Sequence, residues 1–377
     1  MPASRPLRPR FQPVSDLHRE IRRRATDHFA SCGIARHGSW RFFAKAGFIL
    51  VWWLAAWALL VFWAENWATA LPLAVLLGLA MCGIGFNIQH DGGHRACSDR
   101  PAVNRLMAFG LDLMGGSSYV WNWKHNHLHH QFTNVDGLDD DLSGTRLIRM
   151  APTQPWRPYH RFQVLYVWGL YALLGVKWQW WDDFANVIRG RIGTQPIPRP
   201  RGRELVALVG GKAFTYGWTL AIPLVVRPEP FWVIGLVYLV TLGTVGVVLA
   251  TVFQLAHVTE EAGFACTRDD PRIGRAWADH QIGTTCNFSP HSRWITACVG
   301  GLNFQIEHHL FPQVGHEHYP ALARIVRGVC EERGVRYACY ESILGAIGSH
   351  LRWLRRMGVR PEPGGPMGWP RCRSSRS

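Results

Sequence analysis

The sequence is poor in the features that mark several common classes of protein. Its nine cysteines form no CxxC motif and no even spacing, which argues against a zinc ribbon or a disulfide framework and fits a reducing cytoplasm. No internal repeat or dinucleotide-binding fingerprint stands out, so a directly bound nicotinamide cofactor is not expected. Acidic residues are outnumbered, 26 against 41 lysines and arginines. The informative features are therefore the apolar runs, the excess of basic residues and the histidines.

Long uncharged runs indicate an integral membrane protein. The first two runs are each about 20 residues long, the length that crosses a bilayer as a helix. A polar turn at residues 227–230 separates the second pair. We expect an all-α membrane protein with four transmembrane helices in two hairpins, at residues 46–63, 68–89, 213–226 and 231–256.

The distribution of basic residues predicts the orientation of these helices. Residues 1–45 hold ten lysines and arginines against three acids, whereas the short turns at 64–67 and 227–230 hold one basic residue between them. The positive-inside rule then places both chain ends in the cytoplasm, together with a helical cap formed by residues 90–212 and 257–359. The net charge of +15 fits contact with an anionic leaflet, and no nucleic-acid partner is expected because no recognition motif accompanies it.

The two ends of the chain differ in character from the region between them. Leu17, Ile21 and Phe29 form one stripe of an amphipathic helix in the cytoplasmic segment 1–45, and the first apolar run begins too late and is too long for a signal peptide. Residues 360–377 are typical of a disordered tail. The core domain is expected at 46–359.

The histidines cluster where the apolar runs end. His90 and His94 are spaced i,i+4, and His125 and His129 repeat that spacing with His130 beside them. On a helix, this spacing places two imidazoles on one face, close enough to share a metal ion. The adjacent pair His308 and His309 can reach two different metals. A two-metal centre is predicted, and ligands of this type suit iron, copper, zinc or nickel.

Simpler explanations exist for each histidine taken alone. His257, at the end of the fourth apolar run, has the position of an ordinary capping or surface residue, and a single i,i+4 pair such as His90 and His94 is often structural. A membrane electron carrier that binds haem through histidines is a remote alternative, because two haems across a bilayer would need ligands at both depths. Three clusters at the cytoplasmic ends of two hairpins favour the metal centre.

The motifs HDGGH, HNHLHH and QIEHH resemble the three histidine boxes of the membrane fatty acid desaturases. The glutamine that opens the third box resembles the front-end subgroup, and QLAHVTE, WADHQIGTTCNFS and SHLRWLRRMG resemble bacterial acyl-lipid desaturases of the delta-6 type. The resemblance runs from about residue 15 to 358. The resemblance identifies the superfamily, but it says little about the position of the double bond.

The resemblance implies a di-iron centre that uses dioxygen to desaturate an acyl chain. The implied iron ligands are His90, His94, His125, His129, His130, His257, His308 and His309. Gln305 stands where many relatives have a ninth histidine, and its amide is a weaker ligand that could act through a water. Partners of the ligands are expected among Asp91, His127, His280, Glu307, Asp136, Asp139, Asp140 and Asp141, although the four aspartates of NVDGLDDDLS also fit a solvated loop.

The substrate and the electron donor are expected to come from outside this chain. An acyl lipid or acyl thioester would enter an apolar channel, for which Trp121, Trp123 and Phe304 are candidate linings. Many front-end desaturases carry a fused haem domain with an HPGG motif, which is missing here, so the electrons are expected from a separate acidic donor such as a ferredoxin. The arginines of 189–203 are a candidate docking patch for it, or equally a lipid contact.

Some outcomes stay open on the sequence alone. A hydroxylase built on the same di-iron centre is the main alternative to a desaturase, and the head group, the double-bond position and the oligomeric state are not specified. A multi-pass location in a bacterial plasma membrane is expected.

Overall fold

The computed structural model describes residues 9–143, 146–266 and 272–361, and most of these residues are helical. The predicted tail, residues 360–377, lies outside the described residues except for its first two positions. The helices in chain order are α1 (Asp16–Cys32), α2 (Trp40–Phe62), α3 (Trp67–Ile84), α4 (His90–His94), α5 (Pro101–Ala108), α6 (Gly110–Leu113), α7 (Ser118–Trp121), α8 (Asp140–Ser143), α9 (Gln163–Ala172), α10 (Leu174–Lys177), α11 (Asp183–Arg189), α12 (Arg203–Tyr216), α13 (Ile222–Val226), α14 (Phe231–His257), α15 (Trp277–Thr284), α16 (Arg293–Cys298), α17 (Gln305–Leu310), α18 (Tyr319–Glu332) and α19 (Ile343–Gly358).

Short two-stranded pairs fasten the loops between these helices. The strands are β1 (Arg10–Gln12), β2 (Val135–Asp136), β3 (Arg191–Ile192), β4 (Gln195–Pro196), β5 (Ala265–Cys266), β6 (Arg272–Ala276), β7 (Asn287–Phe288) and β8 (Cys339–Tyr340). β3 and β4 form an antiparallel hairpin, whereas β1–β6, β2–β5 and β7–β8 pair in parallel across long stretches of sequence. The parallel pairs hold together segments that are far apart in the sequence, since two parallel strands cannot be connected by a short turn.

Among the described residues, four helices are long and apolar enough to cross a membrane. They cover Trp40–Phe62, Trp67–His94, Arg203–Val226 and Phe231–His257. The second joins α3 to α4 through a π-helical segment, Gly85–Gln89, and the third joins α12 to α13 through another, Gly217–Ala221. α3 packs along both α2 and α14, and at Gly78 the helices approach so closely that a Cβ would lie 2.7 Å from the carbonyl oxygen of Thr241.

The third apolar helix begins at Arg203, well before the uncharged run that starts at residue 213. Lys212 interrupts the run in the sequence, but its side chain is buried in the structure. Its Nζ donates to Asp183 Oδ2 at 2.8 Å and to the carbonyl oxygens of Gly115 and Gln179. The helix tolerates a charge here because the ammonium group is fully paired.

The remaining helices cover α4 and the last turn of α14, where the second and fourth membrane-length helices carry histidines. The stripe predicted on α1 is present, since Leu17, Ile21 and Phe29 are buried together with Ala25. α1 packs on α15 and α18, and α18 packs on α17. This arrangement holds α17, which carries the third histidine motif, against the helix ends of the first and second motifs.

Candidate metal centre

Four separate segments bring eight histidines together. His90 and His94 lie on α4, His257 is the last residue of α14, and His308 and His309 lie on α17. His125 and His129 come from the π-helical segment Asn122–His129 that continues α7, and His130 follows it directly. All eight side chains are buried. Because these segments are far apart in the sequence, the fold alone explains their convergence.

The eight side chains divide into two groups around a shared residue. In the first group, ring nitrogens of His90, His94, His125 and His308 all lie within 4.8 Å of one another. In the second group, those of His129, His257 and His309 do the same. His130 lies between them, with its ring centroid 4.6 Å from that of His308 and 4.3 Å from that of His309. The adjacent histidines of the third motif thus belong to different groups.

The second motif is π-helical rather than α-helical. In this geometry the backbone N–H of His130 donates to the carbonyl oxygen of His125 at 2.9 Å, a spacing of five residues. The Nε2 atoms of these two residues lie 3.1 Å apart, and their ring planes are nearly perpendicular. Short π-helical segments are frequent at functional sites. The sequence predicted an α-helical i,i+4 pair of His125 with His129. Their rings are stacked with centroids 5.3 Å apart, and the wider turn also brings His130 to His125.

Several of the rings have a partner on one nitrogen and none on the other. Nδ1 of His308 lies 3.1 Å from the hydroxyl of Tyr319, and Nδ1 of His309 lies 2.8 Å from Oε1 of Gln281. The Nε2 atoms of both residues are buried without a hydrogen-bond partner, as are Nε2 of His90, Nε2 of His94 and both ring nitrogens of His257. A buried nitrogen without a partner is unfavourable unless something binds it. An outer partner that orients an imidazole and leaves its other nitrogen free is the usual arrangement in a metal site.

The charge state of the rings also suits metal binding. Burial, reinforced by the neighbouring histidines, holds the pKa of His125, His130, His308 and His309 well below the ordinary value. These rings are therefore neutral near pH 7, and neutral imidazole is the form that binds a metal. Burial acts on His129 in the same direction, but Asp139 outweighs it and raises the pKa of His129.

The first histidine motif is held by a contact that the sequence analysis missed. Oδ2 of Asp91 lies 2.8 Å from Nδ1 of His316, and Nε2 of His316 lies 3.1 Å from Nζ of Lys45 on α2. Oδ1 of Asp91 is 4.0 Å from Nδ1 of His90. The predicted partner of the ligands therefore contacts His316 more closely than His90. His316 lies in the motif HEHYP, outside the three histidine boxes.

Close packing explains the two glycines of HDGGH. A Cβ on Gly92 would lie 2.4 Å from the backbone nitrogen of Ala108, and a Cβ on Gly93 would lie 2.2 Å from the ring of Trp121. The indole of Trp121 in turn stacks on His125 at 4.5 Å and lies 5.4 Å from His94. The glycines thus allow a large aromatic side chain to cover the first histidine group.

The other predicted partners occupy different positions. Glu307 faces away from the histidines, because it accepts hydrogen bonds from Asn287 Nδ2 at 2.7 Å and the Tyr337 hydroxyl at 2.9 Å, and burial raises its pKa to about 7. His280 pairs with the carbonyl oxygen of Thr133 at 2.8 Å, and burial lowers its pKa to about 4. His127 is exposed, and its ring packs at a tilt against Trp123, with the centroids 4.5 Å apart.

Gln305 and the aspartates lie closer to the second group. Nε2 of Gln305 is buried without a partner, and the side chain lies next to His257. Asp139 lies 3.1 Å and Asp141 3.5 Å from Nδ1 of His129. Asp140 and Asp141 both pair with Lys124, and Asp136 lies in β2. Asp141 is the most exposed of these aspartates, so the second group approaches the solvent here.

A small apolar cavity of about 60 Å³ adjoins the first group. It is lined by His90 and Trp121 on one side and by residues of α3, α14 and the covering helices on the other, among them Met114, Leu249 and Phe253. Of the three predicted channel residues, Trp121 lines this cavity. Trp123 packs instead against the β3–β4 hairpin, and Phe304 is buried against α1 and α18.

Comparison with known proteins gives the family. Residues 65–341 match the fatty acid desaturase family. The chain is 37% identical to the sn-1 linoleoyl-lipid 6-desaturase of Arthrospira platensis, over 92% of this chain and 94% of that protein. It is 35% identical to the enzyme of the same name from Synechocystis sp., over 93% and 97% of the two chains. An acyl-lipid (8-3)-desaturase of Physcomitrium patens is 33% identical over 91% of this chain and 72% of that protein.

The four membrane-length helices, the buried histidine cluster and these similarities agree with one another. The protein is therefore a membrane enzyme, an oxidoreductase that desaturates a fatty acyl chain with dioxygen, and it belongs to the fatty acid desaturase family.

Proposed function

We propose that the eight histidines hold two iron ions and that the enzyme is a front-end desaturase of acyl lipids. One iron would be bound by His90, His94, His125 and His308, and the other by His129, His257 and His309, with His130 between them. The observation that carries this assignment is the set of buried ring nitrogens that have no partner in the protein. A purely imidazole donor set suits iron and argues against magnesium or calcium. When bound, such a centre supplies the activation of dioxygen that removes two hydrogens from the chain.

The residues around the proposed ligands have separate tasks. Tyr319, Gln281 and Asp139 fix the orientation of His308, His309 and His129 through their Nδ1 atoms. Trp121 packs over the first group, with its indole 4.5 Å from His125 and 5.4 Å from His94. The amide of Gln305 has a free donor beside His257 and could hold a water there.

The proposed topology places the site at the cytoplasmic face of a bacterial plasma membrane. The excess of basic residues in 1–45 supports a cytoplasmic location of both ends of the chain, with helices α2–α4 and α12–α14 as two hairpins. Residues 90–212 and 257–359 would then form the cap, except that α12 contributes its length to the third span. The desaturase domain would cover residues 46–359.

The cavity beside His90 is the proposed position of the reacting part of the acyl chain. Its lining, including Met114, Leu249 and Phe253, is apolar and suits a saturated segment that offers no group for polar recognition. The two cyanobacterial relatives are named as 6-desaturases of a linoleoyl lipid. We infer the same substrate class here, with the new double bond near the carboxyl end of the chain.

Electrons would come from a separate acidic protein such as a ferredoxin. The partly exposed Asp141, 3.5 Å from His129, marks the nearest approach of the second group to the solvent. Gly193 of the adjoining β3–β4 hairpin lies beside Asp140, so the hairpin borders this edge. The hairpin region carries exposed arginines, among them Arg191, Arg199 and Arg201. A basic surface next to the centre would steer an acidic donor to it.

Expression of the chain in a bacterial host with a ferredoxin and its reductase tests the proposal. Mass spectrometry of the host lipids should show a new double bond near the carboxyl end, and it should be absent with His308→Ala. Metal analysis of the purified protein should give about two irons per chain, as expected for imidazole ligands. Hydroxylated chains in place of olefins would favour the hydroxylase alternative, and a Soret band would indicate a haem protein.

A further inference from the structure

The small cavity beside His90 contains an amide group that has no partner among the described residues. Gln89 lines this cavity and is only 3% exposed, and its Nε2 is buried without a hydrogen bond. The other amide in the lining, that of Gln179, is paired at both atoms. Its Nε2 donates to the carbonyl oxygen of Met114 at 2.6 Å, and its Oε1 accepts the hydroxyl of Tyr238 at 2.6 Å. Gln89 therefore offers a donor to whatever occupies the cavity.

The location of this donor points to a ligand. Gln89 belongs to the second membrane-length helix, Trp67–His94, and a buried donor without a partner is unfavourable. Polar side chains inside membrane helices usually face a substrate or an ion pathway. The neighbouring free nitrogen, Nε2 of His90, belongs to the proposed metal centre. The acceptor for Gln89 must then come from the substrate.

The π-helical segment Gly85–Gln89 directs the amide into the cavity. Met81, Gly85 and Gln89 follow one another at steps of four residues, and all three line the cavity. A Cβ on Gly85 would meet no atom within 4 Å, so there is open space one turn away from Gln89. His90 is the next residue along the helix, turned by about 100° around the axis. The amide and a proposed metal ligand thus border the same space from neighbouring positions.

The carbonyl oxygen of an acyl ester is the acceptor that suits this donor. The hydrocarbon part of an acyl chain offers no strong acceptor, and the lining on α14, with Leu242, Val245 and Leu249, is apolar. In a front-end desaturase the carbonyl carbon lies about five bonds from the reacting bond, or about 6 Å at the rise of an extended backbone. A donor that borders His90 is therefore placed for the carboxyl end of the chain.

We propose that the amide of Gln89 donates a hydrogen bond to the carbonyl oxygen of the acyl ester and thereby fixes which carbons lie beside the first histidine group. This inference rests on the proposed function, since it requires an acyl lipid whose reacting bond is near the carboxyl end. A contact at the carbonyl oxygen sets the position of the double bond from that end of the chain. Gln89 is thus a specificity-determining residue for the position of the double bond.

Separate removal of the donor and of the acceptor tests the proposal. Gln89→Met deletes the amide at nearly constant side-chain volume. Leu111→Met is the matched control, because it is a swap of similar size in the same lining, next to Gly110, which faces Gln89. The purified wild type and both variants are supplied with the electron donor. Each is assayed on a linoleoyl glycerolipid and on its ether analogue, in which a methylene replaces the carbonyl group, and mass spectrometry gives the amount and position of new double bonds.

The ratio of ester product to ether product and the position of the double bond are the expected signals. The wild type should desaturate the ester at one position and prefer it to the ether by about tenfold or more, since the ether leaves a buried donor unpaired. Gln89→Met should lose this preference and spread the double bond over neighbouring positions. Leu111→Met should keep both the preference and the position, whatever its rate.

Two results would overturn the proposal. One is a wild type that desaturates the ester and the ether equally well, which is informative even if Gln89→Met does not fold. The other is a Gln89→Met enzyme that keeps both the ester preference and the single position. A loss of folded protein alone would lower all products together and would change neither signal. A wild type that desaturates neither lipid would instead count against the proposed function.

Discussion

The carboxylate of Asp139 faces the imidazole of His129 inside the protein, with Nδ1 3.2 Å from Oδ1 and 3.1 Å from Oδ2. Asp139 also accepts the backbone N–H groups of Asn134 and Asp141. These two N–H groups fix the position of the carboxylate, and the carboxylate in turn fixes the orientation of the His129 ring. Through this contact, the acidic segment NVDGLDDDLS orients a ligand of the proposed metal centre.

Asp139→Asn should weaken metal binding without removing a ligand. An amide is neutral and supports the imidazolate character of His129 less well, and loss of an outer partner typically lowers metal affinity about 10- to 100-fold. Iron retained during a titration with a chelator is the measurement. Asp99→Asn, at an exposed position, is the control. Equal iron retention in both variants would mean that Asp139 does not orient a ligand.

Gly93→Ala should disturb the first histidine group through Trp121. The added Cβ would lie 2.2 Å from the indole, which must move away from His94 and His125. Overpacking of this kind costs about 1–3 kcal/mol. We expect a lower midpoint of thermal unfolding and a severe loss of product. Gly47→Ala is the control, because no atom lies within 4 Å of its added Cβ, and equal behaviour of the two variants would contradict the packing argument.

His316→Ala should destabilise the protein because it leaves the buried carboxylate of Asp91 without its closest partner. Leaving a buried acceptor without its hydrogen-bond partner typically costs about 1–3 kcal/mol, and more when the acceptor is charged. The double variant with Asp91→Asn should lose much less than the two single variants together, since the carboxylate is then absent. Thermal unfolding of the four proteins measures this coupling. Simple additivity would show that the 2.8 Å contact contributes little.

The sequence was sufficient to predict the histidine cluster and the membrane-length helices. Uncharged runs of about 20 residues predict spanning helices without knowledge of the rest of the fold, because the thickness of the bilayer sets the length of a spanning helix. Histidines repeated at the ends of such runs are expected to lie close together, since those ends meet at one face of the membrane. Here the runs end at His90 and His257, and both residues lie in the cluster.

Other features depended on contacts between distant residues. His316, Tyr319 and Gln281 show no pattern of their own, and only the packing of α15, α17 and α18 brings them to the site. The early start of the third span was hidden by Lys212, whose partner Asp183 lies on another helix. The π-helical turn that brings His130 to His125 has no signal in periodicity, because it breaks the α-helical spacing.

Bound iron should stabilise the protein increasingly as the free iron concentration rises. A ligand that binds only the folded state adds stability as its concentration rises above the dissociation constant, by about 2.7 kcal/mol at a hundredfold excess. The midpoint of thermal unfolding should therefore rise with added ferrous iron in chelator-treated protein, and it should not rise in His130→Ala if this ring serves both groups. An equal rise in wild type and variant would place the bound iron elsewhere.

Reversal of charge on the β3–β4 hairpin should slow the reaction with a protein donor. Arg191→Glu and Arg201→Glu remove exposed positive charge beside the edge at Asp141, and steering by such charges changes association rates by roughly tenfold or more at low salt. Product formation with ferredoxin should fall and should depend less on salt, whereas formation with a small chemical reductant should not change. Arg22→Glu, on the exposed face of α1, is the control. If the hairpin arginines contact lipid head groups instead, both reductants will be affected equally, and the donor must dock on another face.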